Sequence, residues 1–299
     1  MPLVTVIIPT HNRESLLKRA VDSVLSQSHE AIELIVADDA STDGTQNLVD
    51  QYRKRDARVL YISSTENIGA AAIRNRAART ASGAILCFLD DDDEWLPNKV
   101  ERQIECLEGY SMVGCLSHRS DGYETAGGLV LQSRASEKTR TGSSVFLSEI
   151  GLNEVFFDNG RLSPSSVMMR TEEFLKIGGF DETLVASQGR DLFVRMVHTF
   201  GTALLIREHL VVHFQRHGLK RISTSRNHLI GGWAEFKKNQ HLMSDRLIHW
   251  RLFMLNAREA KFASTYKVKA VFILKALSHV RLWRLKDHAK TLAALLLLK

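Results

Sequence analysis

The chain has 299 residues and a formal net charge of +6, with 44% hydrophobic and 25% charged residues. That composition excludes a disordered, fibrous or disulfide-stapled chain, and the length fits one large domain or one domain with an appendage. The charge is polarised: residues 1–200 carry 21 Lys+Arg against 29 Asp+Glu, whereas residues 201–299 carry 19 against 5, an acidic body with a basic tail that meets something anionic.

Val4 to Ile8 is a β-branched run that reads as a buried strand ended by Pro9. Leu17, Val21, Val24 and Leu25 recur at helical spacing between Glu14 and Gln27. Ile32 to Val36 is the next strand and runs into the turn and cap residues Asp38 to Thr45. A helix from Leu48 to Arg55, a strand from Val59 to Ile62 and an Ala-rich helix from Ala70 to Ala81 follow, and Ala84 to Leu89 is a fourth strand. This strand–helix alternation implies a mainly parallel, doubly wound α/β sheet flanked by helices. Ligands bind such sheets beyond the carboxyl ends of the strands. Polar clusters stand at three of those ends: Thr10 to Arg13, Asp38 to Asp43 and Asp90 to Glu94.

Residues 119–160 are rich in Gly, Ser and Thr and read as a loop or lid. Val167 to Met169 reads as a strand, Glu172 to Ile177 and Leu192 to Phe200 as helices, and Leu204 to Ile206 and Leu210 to Phe214 as two short strands. From about Trp233 the pattern is helical and basic. Cys87, Cys106 and Cys115 form no CxxC pair and read as free thiols of a reducing cytosol. No signal peptide is expected, and no apolar run reaches the roughly 18 residues of a membrane span.

Five adjacent acids, Asp90-Asp91-Asp92-Asp93-Glu94, repel one another unless a cation or solvent relieves them. A solvated surface loop is one reading. The other is a hard-oxygen site for Mn²⁺ or Mg²⁺, because a buried strand delivers the acids to a sheet end. Such an ion recruits substrate phosphates and stabilises a departing diphosphate. Asp38 and Asp39 form a second acceptor pair, and Arg74 reads either as a structural partner of Asp39 or as a ligand contact.

Five stretches, VTVIIPTHNR (4–13), ADDASTDGT (37–45), ENIGAAAIRN (66–75), ASGAILCFLDDDDEW (81–95) and IGGFDE (177–182), together resemble the inverting glycosyltransferases of family 2, which have the GT-A fold. The resemblance covers residues 1 to about 220 and implies a Rossmann-like GT-A domain over 1–225. Within it, 1–118 would form the nucleotide-sugar-binding half and 119–225 the acceptor half; a helical basic region would occupy 226–299. It implies that Pro9, Thr10, His11, Asn12 and Arg13 line the nucleotide pocket, and that Asp39 accepts from a uracil or thymine imide with Arg74 nearby. Asp92 would be the principal metal ligand, with Asp90 beside it, and Asp90 or Asp91 would face the ribose. His217 would complete the metal shell, and Arg216 and Arg221 would meet the diphosphate.

The reaction implied is a single displacement in which an acceptor hydroxyl attacks the anomeric carbon, and it requires one general base. Here the chain departs from the family pattern. The stretch SQGRDL (187–192) places Gly189 where the base is expected, so Asp191 becomes the candidate base, with a helix-capping role as its alternative. Asp181 and Glu182 are weaker choices. Arg161 to Ser166 resembles the segment before the strand that floors the acceptor site.

Residues 265–299 carry eight Lys+Arg and one Asp, with Val268, Val271, Phe272, Ala276, Val280 and Trp283 at helical spacing. A basic amphipathic helix of this kind reads as membrane-interfacial, or as packed on its own body or on a second subunit of a homo-oligomer. The expected protein is cytoplasmic, with peripheral contact to the inner face of the membrane. Its expected partners are a UDP-sugar and a glycan, glycolipid or glycoprotein acceptor of cell-surface polysaccharide synthesis, not nucleic acid. A catalytically inactive nucleotide-binding scaffold and a nucleotidyltransferase are the alternatives. The second lacks the glycine-rich signature, whose place Pro9 to Arg13 occupies.

Overall fold

A computed structural model of the chain describes residues 1–120, 147–158, 162–214 and 226–279. These fall into two compact units. The first comprises Met1–Gly151, Arg161–Glu182 and Arg195–Leu219, and the second Leu152–Gly160, Thr183–Val194 and Lys220–Lys299.

The first unit opens with the expected alternation: β1 (Val4–Thr10), α1 (Glu14–Leu25), β2 (Ile32–Asp38), α2 (Thr45–Arg55), β3 (Val59–Ser63), α3 (Ala70–Ala78) and β4 (Ile85–Phe88). These four strands are parallel neighbours in the order β3-β2-β1-β4. β1 is buried along its whole length, as a strand covered on both faces must be. It continues through Pro9 rather than ending there. Pairing with β4 stops at Ile7–Phe88, so Pro9 lies where only β2 flanks the strand and a missing N–H is tolerated. α1 buries Leu16, Leu17, Ala20, Val21 and Val24 along one stripe.

Past β4 the sheet becomes mixed. The chain continues as β5 (Asp93–Trp95), α4 (Lys99–Ile104), β6 (Met112–Ser120), β7 (Leu147–Ile150), α5 (Leu152–Asp158, in the second unit), β8 (Val167–Arg170), α6 (Thr171–Lys176) and β9 (Ala203–Phe214). The path runs on from β4 as β8-β6-β9-β5, with β7 also on β9. β8 is antiparallel to both β4 and β6, β6 is parallel to β9, and β5 and β7 are antiparallel to β9. The parallel expectation therefore holds for the amino-terminal half, and strand reversals build the rest. β9 is one strand of 12 residues where two short ones were expected. The interruption read at Arg207-Glu208-His209 is an irregular stretch of the strand in which Arg207 and His209 are exposed; β9 advances from Ile206 to Val211 while β6 advances only from Cys115 to Ser117, so the extra residues bulge from β9.

One buried polar chain fixes β5 against this sheet. Trp95 donates from Nε1 to the Ser165 carbonyl at 2.7 Å, and the fully buried Lys99 ammonium lies 3.8 Å from the Trp95 ring centroid. Lys99 Nζ donates to Gln103 Oε1 at 2.6 Å, and Gln103 Nε2 donates to the carbonyls of Val113 and Ser166. Cys87 and Cys115 are buried free thiols, and burial pushes the pKa of each up to about 11.

The second unit is helical: α5 (Leu152–Asp158), the start of α7 (Gln188–Phe200), α8 (Arg226–Asn239), α9 (Asp245–Phe262) and α10 (Tyr266–Ser278). Phe157 stacks on Trp250 with centroids 4.5 Å apart. Phe253, Ala257 and Ala260 of α9 pack with Ala276 and Phe272 of α10. The apolar residues expected at Val280 and Trp283, and most of the expected loop or lid at 119–160, lie outside the described residues.

Candidate functional site

The loops that leave β1 and β2 are locked to each other by short polar residues. Asn12 and Ala40 adopt left-handed backbone, φ 52° and 60°, which is costly for a residue with a side chain unless its surroundings hold it. Here the Asn12 N–H donates to Ser41 Oγ at 2.8 Å, and Asn12 Oδ1 accepts the Thr42 N–H at 2.7 Å. His11 Nδ1 lies 2.6 Å from the Asp39 carbonyl oxygen. Asp38 is a buried structural acid: its carboxylate accepts the Ser41 N–H and the Tyr61 hydroxyl.

Asp39 is buried too, and both of its oxygens meet backbone donors. Oδ1 accepts the Ile68 N–H at 2.7 Å and Oδ2 accepts the Gly69 N–H at 2.8 Å, just before α3 begins. Gly69 takes φ 91°, a conformation that explains a glycine here. A carboxylate facing a helix N-terminus is favoured by the helix dipole, and each oxygen keeps a second lone pair for a ligand donor. Replacing Asp39 with Asn turns one of these acceptors into a donor that faces an N–H. The expected cost is about 2–3 kcal/mol of stability, read from urea denaturation; an unchanged midpoint would show that the turn at 68–69 does not depend on this carboxylate.

Arg74 forms no ion pair with Asp39, the first of its two expected readings, among the described residues; its charge meets Asp90 instead. Its Nη2 donates to Asp90 Oδ1 at 2.5 Å, while the guanidinium lies over the Phe180 ring. Its neighbour Asn75 was read only as a helix residue, yet it holds the IGGFDE stretch in place. Asn75 donates to the Phe180 carbonyl and to Glu182 Oε1, and accepts the Phe180 N–H, each at 2.8 Å. At Gly179, with φ 69°, a Cβ would lie 2.3 Å from Asn75 Oδ1. The glycine is needed both for the turn and for this approach.

The five acids are sorted by the strand that follows them. Asp91 is buried, accepts from Thr10 Oγ1 at 2.9 Å and pairs with Arg13 Nη1 at 2.9 Å. Asp93 is buried at the start of β5, directly across from His213 on β9, with Oδ1 2.8 Å from His213 Nδ1 and Oδ2 accepting from Ser165 Oγ at 2.6 Å. Glu94 lies 3.9 Å from Arg19, whose Nη2 also donates to the Asp92 carbonyl. Asp90, Asp92 and Glu94 are the more open members, with side chains 36%, 25% and 25% exposed, and of these Asp90 and Asp92 lie with Asp93 in one carboxylate cluster. A fully solvated loop is thereby excluded, and four cationic side chains relieve the repulsion.

Electrostatics follow from burial. Asp91 is pushed up to about 6, chiefly by burial, which the Arg13 charge only partly offsets. Burial likewise raises Asp93 and Glu94, against the opposing pull of His213 and Arg19. Burial disfavours the His213 imidazolium, but its hydrogen bond to Asp93 and the nearby acids prevail, and its pKa lies above the ordinary value.

Asp90, Asp92 and Asp93 each offer a carboxylate oxygen within 4.8 Å of the others. An all-oxygen acidic set of this size fits Mn²⁺ or Mg²⁺. Asp93 was not among the expected ligands; its place as the first residue of a three-residue strand has no periodic signal in the sequence. The other expected ligand, His217, and the expected diphosphate partners Arg216 and Arg221, lie outside the described residues.

Asp191, in the second unit, occupies the first turn of α7 and is fully buried. Its Oδ1 pairs with Lys238 Nζ at 2.8 Å and accepts from Asn239 Nδ2 at 3.2 Å, both at the end of α8. The preceding Ser187 has left-handed backbone, φ 64°, and its carbonyl accepts the Asp191 N–H.

Residues 5–173 match the model of "Glycosyl transferase family 2", more than half of the chain. The chain belongs to that family. It is 29% identical to the putative colanic acid biosynthesis glycosyl transferase WcaA of Escherichia coli K12, over 85% of this chain and 87% of that protein. It is 46% identical to the putative teichuronic acid biosynthesis glycosyltransferase TuaG of Bacillus subtilis, over 36% of this chain and only 42% of the relative's length. Among solved structures, S. aureus TarS 1-349 in complex with UDP-GlcNAc aligns with a TM-score of 0.59 at 18% identity, over 98% of this chain and 80% of that 1-349 chain. A mannosyltransferase from Pyrobaculum calidifontis in complex with GDP-Man and Mn²⁺ aligns at 0.58 and 18% identity, over 99% and 85%. These likenesses bear out the mixed α/β fold of the family.

Proposed function

We propose that this family 2 member is a metal-dependent inverting glycosyltransferase that moves a sugar from a nucleoside-diphosphate sugar, UDP first, to a hydroxyl of a cell-surface glycan acceptor. The observation that carries the reading is the sorting of the acids. Asp91 and Asp93 are buried in fixed partnerships, while Asp90 and Asp92 stay open beside the strand ends that carry Thr10 and Asp39. Mn²⁺ or Mg²⁺, held by Asp90 and Asp92 with Asp93 behind them, would neutralise charge on the departing diphosphate. In this reading Asp39 accepts from the base imide, and the 9–13 turn, with His11 and Arg13, lines the nucleotide. Arg74 keeps Asp90 oriented. Residues 1–118 serve the donor and 119–225 the acceptor, with Arg216 and Arg221 as partners of the diphosphate and His217 as a further metal ligand. Asp191 takes the acceptor proton once Lys238, whose side chain is 37% exposed, gives way to the acceptor hydroxyl.

The names of relatives support a polysaccharide setting: those of WcaA and TuaG refer to colanic and teichuronic acid biosynthesis, and a further relative from Escherichia coli is named for glucosyl transfer to a diphosphoundecaprenol-linked GlcNAc. Peripheral membrane contact on the cytoplasmic side fits this setting. Among the described residues no helix is long and apolar enough to cross a membrane. α10 packs Phe272 and Ala276 inward but leaves Tyr266, Val268, Val271, Leu274 and Leu277 exposed among Lys267, Lys269 and Lys275.

Calorimetric titration of UDP, dTDP and GDP with and without Mn²⁺, followed by hydrolysis of a UDP-sugar panel, tests the reading. Metal-dependent binding of UDP with slow sugar hydrolysis is the expected result, and absence of nucleotide binding would overturn it. The second reading, an inactive nucleotide-binding scaffold, is favoured by Gly189 at the expected base position and by the ion pair on Asp191. It predicts binding without transfer to any acceptor.

A further inference from the structure

Ser165 is fully buried, yet its hydroxyl touches both the first and the last aspartate of the acidic run. Its Oγ donates to Asp93 Oδ2 at 2.6 Å and accepts the Asp90 N–H at 3.1 Å. The shorter of these bonds is a hydroxyl on a carboxylate, stronger than a bond between neutral groups. Asp90 and Asp93 are also joined directly, because the Asp93 N–H donates to the Asp90 carbonyl at 3.0 Å. Residues 90–93 thus form a turn closed by its own backbone and clipped a second time by a side chain 75 residues away. Asp93 Oδ1 lies 2.8 Å from His213 Nδ1, so both of its oxygens are held while each keeps a second lone pair.

The segment that carries Ser165 is stiff. Pro164–Ser166 is a single 3-10 turn with Ser163 at its start and the fixed backbone angle of Pro164 just inside. Ser166 Oγ accepts the Ser163 N–H at 2.8 Å, and the Ser166 N–H donates to the Ser163 carbonyl at 2.9 Å. The turn is tied to its surroundings through two carbonyls: that of Ser165 accepts from Trp95 Nε1 at 2.7 Å, and that of Ser166 accepts from Gln103 Nε2 at 2.9 Å. The two neighbouring hydroxyls differ in use. Ser166 is as deeply buried as Ser165 but spends its Oγ on Ser163, within the turn, whereas Ser165 Oγ leaves the turn for the acids.

We infer that Ser165 is a positioning residue for the metal: its hydroxyl sets the separation of Asp90 and Asp93 and the orientation of the Asp93 carboxylate, so that both converge with Asp92 on one cation. The inference rests on the reading above that these acids hold Mn²⁺ or Mg²⁺. A free carboxylate turns readily about its last bond, and a ligand that must be turned into place on metal binding costs affinity. Groups that hydrogen-bond to a metal's ligands contribute about 10–100-fold to its affinity for that reason. Ser165 comes from residues 119–225, so a side chain of the proposed acceptor half sets the metal that serves the donor.

The test measures, by calorimetry on the full chain, the Mn²⁺ concentration at which metal-dependent UDP binding is half developed. Ser165→Ala is expected to raise it about 10-fold or more. Ser166→Ala, which removes an equally buried hydroxyl from the same turn, is expected to leave it unchanged, and thermal unfolding of both variants reports the loss of structure alone. In an Asp93→Asn background, Ser165→Ala is expected to raise the concentration by less than it does in wild type, because the hydroxyl acts in part through that carboxylate. In wild type, where no variant has to fold, Mg²⁺ with UDP is expected to slow hydrogen exchange at the Asp90 amide, which donates to Ser165 Oγ. An unchanged Mn²⁺ requirement in folded Ser165→Ala, an equal rise in Ser166→Ala, full additivity with Asp93→Asn, or an Asp90 amide indifferent to Mg²⁺ would overturn the inference and leave the metal reading standing. Wild type that binds UDP equally with and without Mn²⁺ would overturn both.

Discussion

Asp92→Ala is expected to abolish Mn²⁺-dependent UDP binding and to lower sugar transfer by about 10³-fold, the loss of about 4 kcal/mol of charge stabilisation at the departing diphosphate. The fold is expected to survive. Asp92 is one of the more open acids, and its contacts include a 3.5 Å pairing with Arg13 and a backbone carbonyl that accepts from Arg19. The substitution leaves the Asp91–Arg13 and Asp93–His213 pairs in place and removes one negative charge from a crowded run. Thermal unfolding should therefore stay within about 0.5 kcal/mol of wild type, as for a substitution away from the core. Calorimetry with and without Mn²⁺ decides the matter: intact metal-dependent binding in a folded Asp92→Ala protein would remove Asp92 from the metal site.

Asp191→Asn is expected to lower kcat by about 10²–10⁴-fold with donor KM unchanged, the usual contribution of a general base. Asparagine keeps an oxygen for Lys238 and Asn239 but cannot take a proton. Breaking a fully buried ion pair costs about 3–5 kcal/mol because a charge is stranded. Here the partner ammonium is partly exposed and can turn to water, so a smaller loss of about 1–2 kcal/mol is expected. Lys238→Gln separates the roles. If Asp191 is the base, this variant retains turnover while sharing the stability loss. If Asp191 only ties α7 to α8, both variants lose stability alike and both keep kcat per folded molecule, which would end the assignment.

The parallel half of the sheet was legible because each of its strands is a short β-branched or apolar run that ends in a polar cluster, and each intervening helix carries its own stripe. β5 was not. Its three residues, Asp93, Glu94 and Trp95, carry two acids, and they form a strand only because β9 lies alongside to pair with them. β9 itself looked divided because Arg207 and His209 are charged or polar and exposed in mid-strand. Asp90 and Asp92 were legible by type and spacing, whereas their division of labour from Asp91 and Asp93 depends on Arg13 and His213, far away in sequence. Asn75 was overlooked as a clamp because its partners Phe180 and Glu182 lie more than 100 residues away.

The acidic run also has a fixed length. Leu89 is tied to β1 through its N–H and the Ile7 carbonyl, while Asp93 already stands in register with His213 on β9. Both ends of the intervening stretch thus belong to the same sheet, at strands far apart in its order. Side chains alternate faces along a strand, so adding one residue between Asp90 and Asp93 would put Asp92, and deleting one would put Glu94, where Asp93 now meets His213, and either change would turn Trp95 away from Ser165. The protein can therefore exchange residue types along this run more readily than it can accept a change in the number of residues there. An insertion would disturb the acids and the seat of Trp95 together, even if it added another carboxylate.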